Sequence, residues 1–399
     1  LLNPPQQDFS TTRQLDFASY LGMLTMGILN GALGPLLVEI CRFYRLELAD
    51  VGLPILFDGT GYLLGTVIVS FVWKIHRARF FLTFSSVALC LVLVGILPLH
   101  DRFGIFLALL FLLGFSFGFL TVALDALFSE IYRKNQARYL NILHFFFGVG
   151  SFLGPLLTVG ILKWMDRWVM FYFILGLCHV PLVMIFPRKK NYRFTRDASE
   201  TRSIENRVRF VDPLSSFIFW VILLAMFLHL GIEVSFSAWL PLFLVNIRNL
   251  SVTTGSYTVS LFWLAFLVGR ALYARFSHRI DLSLSLIIGA GGAALLTGLT
   301  FLGSEPYLIF TCAGCAGLLL SCIYPNLLAL GGSFFPRHIG FIMGTISASG
   351  GVGYMFFPWL IGPVAQYFGL AKGVFMIPLL GLSMMGILIV LRYSERERL

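Results

Sequence analysis

The chain has 399 residues, of which 58% are hydrophobic and only 12% charged, whereas soluble domains carry about 25% charge. That balance excludes a water-soluble globular domain with a polar shell and points to a membrane protein. The formal net charge of +10 would suit a nucleic-acid surface, but its distribution along the chain gives it a topological meaning instead.

A bilayer core needs about 20 residues of helix, and apolar runs of that order recur. After a tail over 1–15 they fall at 16–44, 50–73, 80–99, 104–131, 138–164 and 168–187. Then comes the longest polar stretch, RKKNYRFTRDASETRSIENRVRFVD, over 188–212. The runs resume at 214–247, 254–276, 282–302, 306–334, 339–368 and 372–392, and a tail covers 393–399. The sequence therefore predicts an all-α membrane protein with twelve transmembrane helices. Six-helix bundles span 16–187 and 213–392, joined by a basic linker at 188–212. The first run is longer than a signal-peptide core and follows no basic n-region, so it reads as a span rather than a cleaved leader.

Short polar loops make neighbouring spans antiparallel. The side holding both termini and the linker then collects 22 Lys and Arg residues, and the other side 7. Basic residues accumulate on the cytosolic side, which predicts cytosolic termini and linker, and a bacterial inner (plasma) membrane location. No nucleic-acid partner is needed to explain the charge. The six cysteines lie in or beside apolar runs. Cys312 and Cys315 have C-x-x-C spacing but no neighbouring His or carboxylate, so they read as small packing residues. No metal site or cofactor is expected, and the absence of a Gly-x-x-x-x-Gly-Lys-Ser/Thr loop argues against ATP-driven chemistry. An ion gradient or the solute's own gradient is the expected energy source, and a monomer the expected state.

The sequence repeats itself. GVGSFLGP at 148–155 and GVGYMFFP at 351–358 share an offset of 203, which also carries Gly114 to Gly317. Offsets of 204 and 206 bring Gly65 onto Gly269 and Pro35 onto Pro241. One six-helix unit used twice is a known transporter plan. Small residues let membrane helices approach closely. Gly148, Gly150 and Gly154, with Gly350, Gly351 and Gly353, predict flat strips on spans 5 and 11 at the interface of the two halves. Pro155 and Pro358 each remove a backbone donor and can kink their helices, so a hinge or gate is expected there. Static packing is the competing reading.

Charges inside spans cost about 2.5–3.5 kcal/mol on insertion scales and usually face a cavity. Glu233 lies mid-way along span 7, with His229 four residues earlier on the same helix face. A carboxylate beside an imidazole can exchange a proton. Asp58 lies in span 2 within LFDGTGY, and Asp125 in span 4. These four are the proton-coupling candidates, and a structural pair bridging helices is the alternative for each. Arg270 stands alone in apolar span 8, where a charge lock with span 4 is expected. The polar and aromatic residues Asn30, Asn141, His144, Trp239, Trp263, Tyr324, Asn326 and Trp359 are substrate-binding candidates, since a sugar needs amides for its hydroxyls and an aromatic face for its C–H side.

Twelve spans as 6+6 about a basic linker resemble the major facilitator superfamily, over essentially the whole chain. Three stretches narrow the resemblance: GFSFGFLTVALDALFSEIYRKNQARYLNILHFFFGVGSFLGPLL, then GIEVSFSAWLPLFL with SLFWLAFLVGRALYARFSHRID, then SCIYPNLLALGGSFFPRHIGFIMGTISASGGVGYMFFP. They look like the fucose/galactose–proton symporter branch and its sugar-transporter-like relatives. The resemblance implies two pseudo-symmetric bundles, alternating access, and a cavity lined by spans 1, 4, 7 and 10. That ranks Asn30, Trp239, Tyr324 and Asn326 first. It also implies transport of a small polar solute such as a sugar with protons. The chain departs from the pattern in three places. Loop 2–3 reads SFVWKIHRARF, with Lys74, Arg77 and Arg79 but no Asp. Its counterpart after span 8 has Ser277 and His278 where an acid is expected. Span 4 has Thr121 near the position of the symporters' carboxylate, and an acid at Asp125 instead. Gly150–Pro155 also resembles the span-5 core of drug–proton antiporters, which keeps export of drugs, lipids or other amphipathic compounds as the alternative.

Overall fold

The computed structural model describes residues 9–73, 77–132, 136–188, 211–276, 281–335 and 339–396. The first half holds α1 (Phe9–Tyr44), α2 (Leu53–Val72), α3 (Ala78–Leu99), α4 (Phe103–Ile131), α5 (Gln136–Met165) and α6 (Val169–Ile185). After a short helix α7 (Val211–Leu214), the second half holds α8 (Phe217–Asn246), α9 (Val252–Phe276), α10 (Leu282–Leu302), α11 (Pro306–Leu320), α12 (Ile323–Phe334), α13 (Ile339–Phe368), α14 (Leu370–Val374) and α15 (Met376–Arg396). Ten segments are long and apolar enough to cross a membrane. The 17-residue α6 and the 30-residue α13, whose Gly, Ser and Tyr dilute its apolar character, complete the twelve. Lys74, Arg133, Lys134, Ser277, His278, Arg279, Arg337, linker residues 189–210 and the side chain of Glu130 lie outside the described residues.

Two expected spans are interrupted, for local reasons. The run 306–334 breaks between α11 and α12 at Ser321 and Cys322. Pro325 cannot donate to the Ser321 carbonyl, and the Ser321 hydroxyl donates back to Leu318 O at 2.7 Å. The last run divides into α14 and α15, where Pro378 likewise lacks a donor in the first turn. Between α13 and α14, Gly369 takes φ +88°, a left-handed conformation that a glycine adopts without a side-chain clash.

Each half has its own core. One is built on Leu120, Leu124, Leu127, Phe128 and Leu182, the other on Phe236, Phe262, Phe301 and Ile323. The second core also receives Leu37, Val38, Val51 and Ile55 from the first half. The most extensive helix pairings are α1 with α5 and α2 with α4 in the first half, and α8 with α13 and α9 with α11 in the second. The halves meet chiefly through α5 with α9, α2 with α13 and α1 with α8.

The repeated glycines explain these pairings, and they correct one expectation. Gly150 and Gly154 do not face the other half. A Cβ on either would collide with the α1 backbone, at Leu24 O and Ile28 O respectively. Gly27 and Gly31 of α1 are pressed in the same way onto Phe147 O and Ser151 O. Gly353 abuts Phe227 O of α8, and Gly350 packs on Leu230 and Met226 of the same helix. The contact of Gly150 with Leu24 thus recurs 203 residues later as that of Gly353 with Phe227. Gly114 on Asp58 O recurs as Gly317 on Phe262 O, and Gly65 on Phe115 O as Gly269 on Leu318 O. Most of the punctuation therefore assembles each bundle. Of the glycines in the two repeated motifs, Gly148, facing Leu267 of α9, and Gly351, facing Leu63 of α2, look across the seam. α5 and α13 run on as helices through Pro155 and Pro358. The Ser151 carbonyl that Pro155 leaves without its helical donor is the one lying against Gly31.

Candidate functional site

Twelve antiparallel spans place both termini on one side, here the terminus side. On the far side the halves touch backbone to backbone. A Cβ on Gly34 of α1 would collide with Ser237 O of α8, and one on Gly52 with Trp359 of α13. Gly362 lies against Leu48 O and Ala49 O, and Gln366 Nε2 donates to Glu47 Oε2 at 3.5 Å. Toward mid-depth the contacts become side-chain contacts: Thr60 to Met355 Sδ at 3.6 Å and Ser260 Oγ to Phe152 O at 3.1 Å.

Below that closed end a polar seam runs between the halves. Asp58 of α2 and Tyr354 of α13 line one small cavity between the halves, and Tyr62 stands one turn along α2 from Asp58. The Tyr62 and Tyr354 rings face each other across the seam at 6.5 Å. Further toward the terminus side, His144 Nε2 of α5 lies 3.2 Å from Asp125 Oδ1 of α4, with the side chains 42% and 34% exposed. Arg270 of α9, in the other half, lies within electrostatic range of His144 on one side and of Glu233 and Tyr324 on the other. The acid and the imidazole are thus part-exposed and face a cation of the opposite half.

Glu233 and His229 lie one turn apart on α8, with His229 Nε2 3.4 Å from Glu233 Oε2. His229 is fully buried and neither ring nitrogen has a hydrogen-bond partner among the described residues. The Arg270 guanidinium stacks over Phe266 at 4.9 Å, and its Nε is likewise buried without a partner. No described carboxylate lies within ion-pair distance of it. Among the described residues no direct lock between Arg270 and span 4 is formed; Asp125 lies against His144 instead.

The substrate-binding candidates separate into three groups. Asn30 of α1 faces the seam, with Nδ2 donating to Ser151 Oγ of α5 at 3.4 Å, and Tyr324 of α12 shares a 3.0 Å hydrogen bond with Ser347 of α13. His144 is part-exposed beside Asp125, and Asn141 is exposed at the terminus-side end of α5. The remaining four are committed to packing. Asn326 is buried and donates to Ser285 Oγ at 3.0 Å, inside the second bundle. Trp239 is fully buried and its indole N–H donates to Pro358 O at 2.9 Å. Trp263 is 3% exposed, with its Nε1 unpartnered, and Trp359 forms part of the far-side closure against Gly52. Their order in the sequence could not reveal this, because a helix facing its own bundle and one facing a cavity both need large side chains.

Two seam residues were not among the candidates, Tyr62 and Tyr354. Both carried a signal. Tyr62 stands four residues after Asp58 in LFDGTGY, and Tyr354 is the fourth residue of GVGYMFFP. No group of three or more His, Cys, Asp or Glu residues suited to a metal occurs among the described residues, and the described cysteines are free thiols.

The fold and sequence have known counterparts. The chain is 25% identical over 355 residues to the glucose/mannose transporter GlcP of Bacillus subtilis, covering 86% of each chain. It is 23% identical over 353 residues to a TsgA homologue of Buchnera aphidicola, covering 88% of each. Its structure resembles that of a D-xylose–proton symporter with a TM-score of 0.76 at 14% identity, covering 94% of this chain and 97% of that one. It also resembles the nucleoside transporter NupG, with a TM-score of 0.74 at 12% identity over 96% and 98% of the two chains. The family model described as Major Facilitator Superfamily matches residues 16–306. Two duplicated bundles around a charged seam, together with that match over most of the chain, place this protein in the major facilitator superfamily of membrane transporters.

Proposed function

We propose that the protein moves a small polar solute, a sugar or related organic compound, by alternating access between its two bundles, with protons as the coupling ion. The observation that carries this reading is the Asp125–His144 pair. It stands part-exposed between halves that meet backbone to backbone on the opposite side, and Arg270 of the other half lies within electrostatic range of His144. The name of the Bacillus relative, a glucose/mannose transporter, supports hexoses as the first solutes to try. Asn30, Tyr62, Tyr324 and Tyr354 supply the amide and phenol groups that recognise hydroxyls. Glu233 is the leading proton carrier, because it is a buried acid within reach of both an imidazole and a mobile cation.

In this reading the glycine seams hold each bundle rigid, while the softer contacts of Gly148 with Leu267 and of Gly351 with Leu63 form the surface over which the bundles rock. The 22-to-7 excess of basic residues supports cytosolic termini, so the part-exposed pair would face the cytosol of a bacterial cell. Counterflow of glucose and mannose in proteoliposomes tests the solute, and uptake driven by an acid interior-directed gradient tests the coupling. Unchanged acid-driven uptake in Glu233→Gln would remove that residue from the mechanism. Thermal stabilisation by hydrophobic compounds and by no sugar would instead favour export of amphipathic molecules.

A further inference from the structure

A helix carbonyl loses its usual donor when the residue four positions on is proline. In the second half this happens twice near the far side. Pro241 leaves Ser237 O of α8 without its helical donor, and Pro363 does the same to Trp359 O of α13. Both carbonyls are turned to glycines of the first half. A Cβ on Gly34 of α1 would collide with Ser237 O and lie 3.0 Å from the Pro241 ring. One on Gly52, at the start of α2, would lie 2.9 Å from Trp359 O. The hydrogen that stands in place of each Cβ points the same way. Each glycine thus offers a Cα–H to an oxygen that has lost an N–H, which makes a weak hydrogen bond in its own right. The exchange is reciprocal, since a Cβ on Gly362 of α13 would lie 2.8 Å from Leu48 O and 2.9 Å from Ala49 O.

Charge plays no part in this closure. Among the described residues the far-side ion pairs, Arg42 with Glu39 and His100 with Asp101, both lie within the first half. The Trp239 indole N–H donates to Pro358 O at 2.9 Å, which ties α8 to α13 and presents both proline-freed carbonyls on one surface. The same device holds a contact inside one bundle, where Gly31 of α1 seats on Ser151 O, freed by Pro155 of α5. We propose that the far side is shut by a charge-free backbone latch: the carbonyls of Ser237 and Trp359, released from their helices by Pro241 and Pro363, are taken up by Gly34 and Gly52 across the seam. A carbonyl uncovered by opening can be met by water, so the latch parts without leaving a buried charge unpaired. Its role in transport rests on the alternating-access reading above. Its strength depends on backbone fit, so salt should not loosen it.

The test is amide hydrogen exchange of the purified protein, read by mass spectrometry on peptides covering 44–53 and 358–369, with glucose and mannose counterflow measured on the same preparations. Gly34→Ala and Gly52→Ala should each raise exchange in these peptides several-fold. Pro241→Ala and Pro363→Ala return an N–H to each carbonyl and add no bulk at the seam, and they should raise it as well. Raising salt to about 1 M, which screens charges beyond about 3 Å, should leave wild-type exchange unchanged. Exchange at the wild-type level in both glycine variants overturns the latch, as does a several-fold rise with salt in the wild type. Unchanged exchange in both proline variants also overturns it, because the contact would then be one of fit alone. If a glycine variant does not fold, the proline variants and the salt series decide. A latch that behaves as expected without glucose or mannose counterflow would stand and would overturn the solute reading. Counterflow with a failed latch does the reverse.

Discussion

Inside its membrane-spanning helices each half carries a carboxylate–imidazole pair, and the two pairs sit in different media. Asp125 and His144 come from two helices and stand 34% and 42% exposed. Glu233 and His229 come from successive turns of one helix, and their side chains are 12% and 0% exposed. The packing frame around the two pairs is nevertheless duplicated: Gly150 seats on Leu24 O as Gly353 seats on Phe227 O. The halves therefore share a scaffold and differ in chemistry. Backbone contacts between helices depend on small residues at fixed spacing, whereas a polar side chain can be moved or replaced without disturbing them. Under the proposed mechanism the first pair would meet water and solute, and the second would hold a proton out of water, where a charge is costly.

The largest effect should come from breaking the shared scaffold. Gly150→Leu and Gly353→Leu each drive a side chain into helix backbone, and both should fail to give a monodisperse folded protein by size-exclusion chromatography. The milder Gly353→Ala should still cost about 1–3 kcal/mol, as overpacking does, read as a lowered melting temperature. Loss of one half's glycine without consequence would show that the two seams are not equivalent.

Next comes the difference in chemistry. Glu233→Gln should reduce acid-driven accumulation by an order of magnitude or more while sparing counterflow. Asp125→Asn should impair both if the part-exposed Asp125–His144 pair meets the solute, as proposed. Equal phenotypes in the two assays would erase the distinction drawn between the pairs.

A smaller effect reports on access. An imidazole-acylating reagent should label His144 many times faster than His229 or His179, as read by peptide mass spectrometry. His229 and His179 are 0% and 1% exposed. Comparable labelling of His229 would place the two pairs in the same medium.

The smallest expected change is at the seam between halves. A Cβ at Gly351 would meet Leu63 at 3.8 Å, an ordinary contact. Gly351→Ala should therefore shift stability by no more than about 0.5 kcal/mol, in contrast to Gly353→Ala two residues away. A large loss of stability in Gly351→Ala would mean that the bundles are locked together more tightly than a rocking surface permits.

Much of this architecture was written in the sequence. Twelve apolar runs and the 203-residue repeat foretold two six-helix bundles, because bilayer thickness fixes span length and duplicated small residues mark duplicated contacts. The pairing of Glu233 with His229 followed from helical spacing alone. The role of the glycines was only half legible: their spacing announced close packing, but not whether the partner lay in the same bundle or across the seam. The interruption of α11 and α12 was likewise missed, although Pro325 marks it.

What the sequence determined by itself is therefore what depends on local chemistry: the membrane-spanning runs, the asymmetry of basic charge, and the repeat. Only the tertiary structure decided which polar groups meet. It joined Asp125 to His144, set Asp58 and Tyr354 around one cavity, left Arg270 without a carboxylate among the described residues, and turned Asn326 and Trp239 inward to their own bundle. The physical reason is that a helix fixes the direction of each side chain relative to its own axis. The neighbour that side chain encounters depends on how the helices are rotated and paired, and that is set by contacts distributed over the whole bundle.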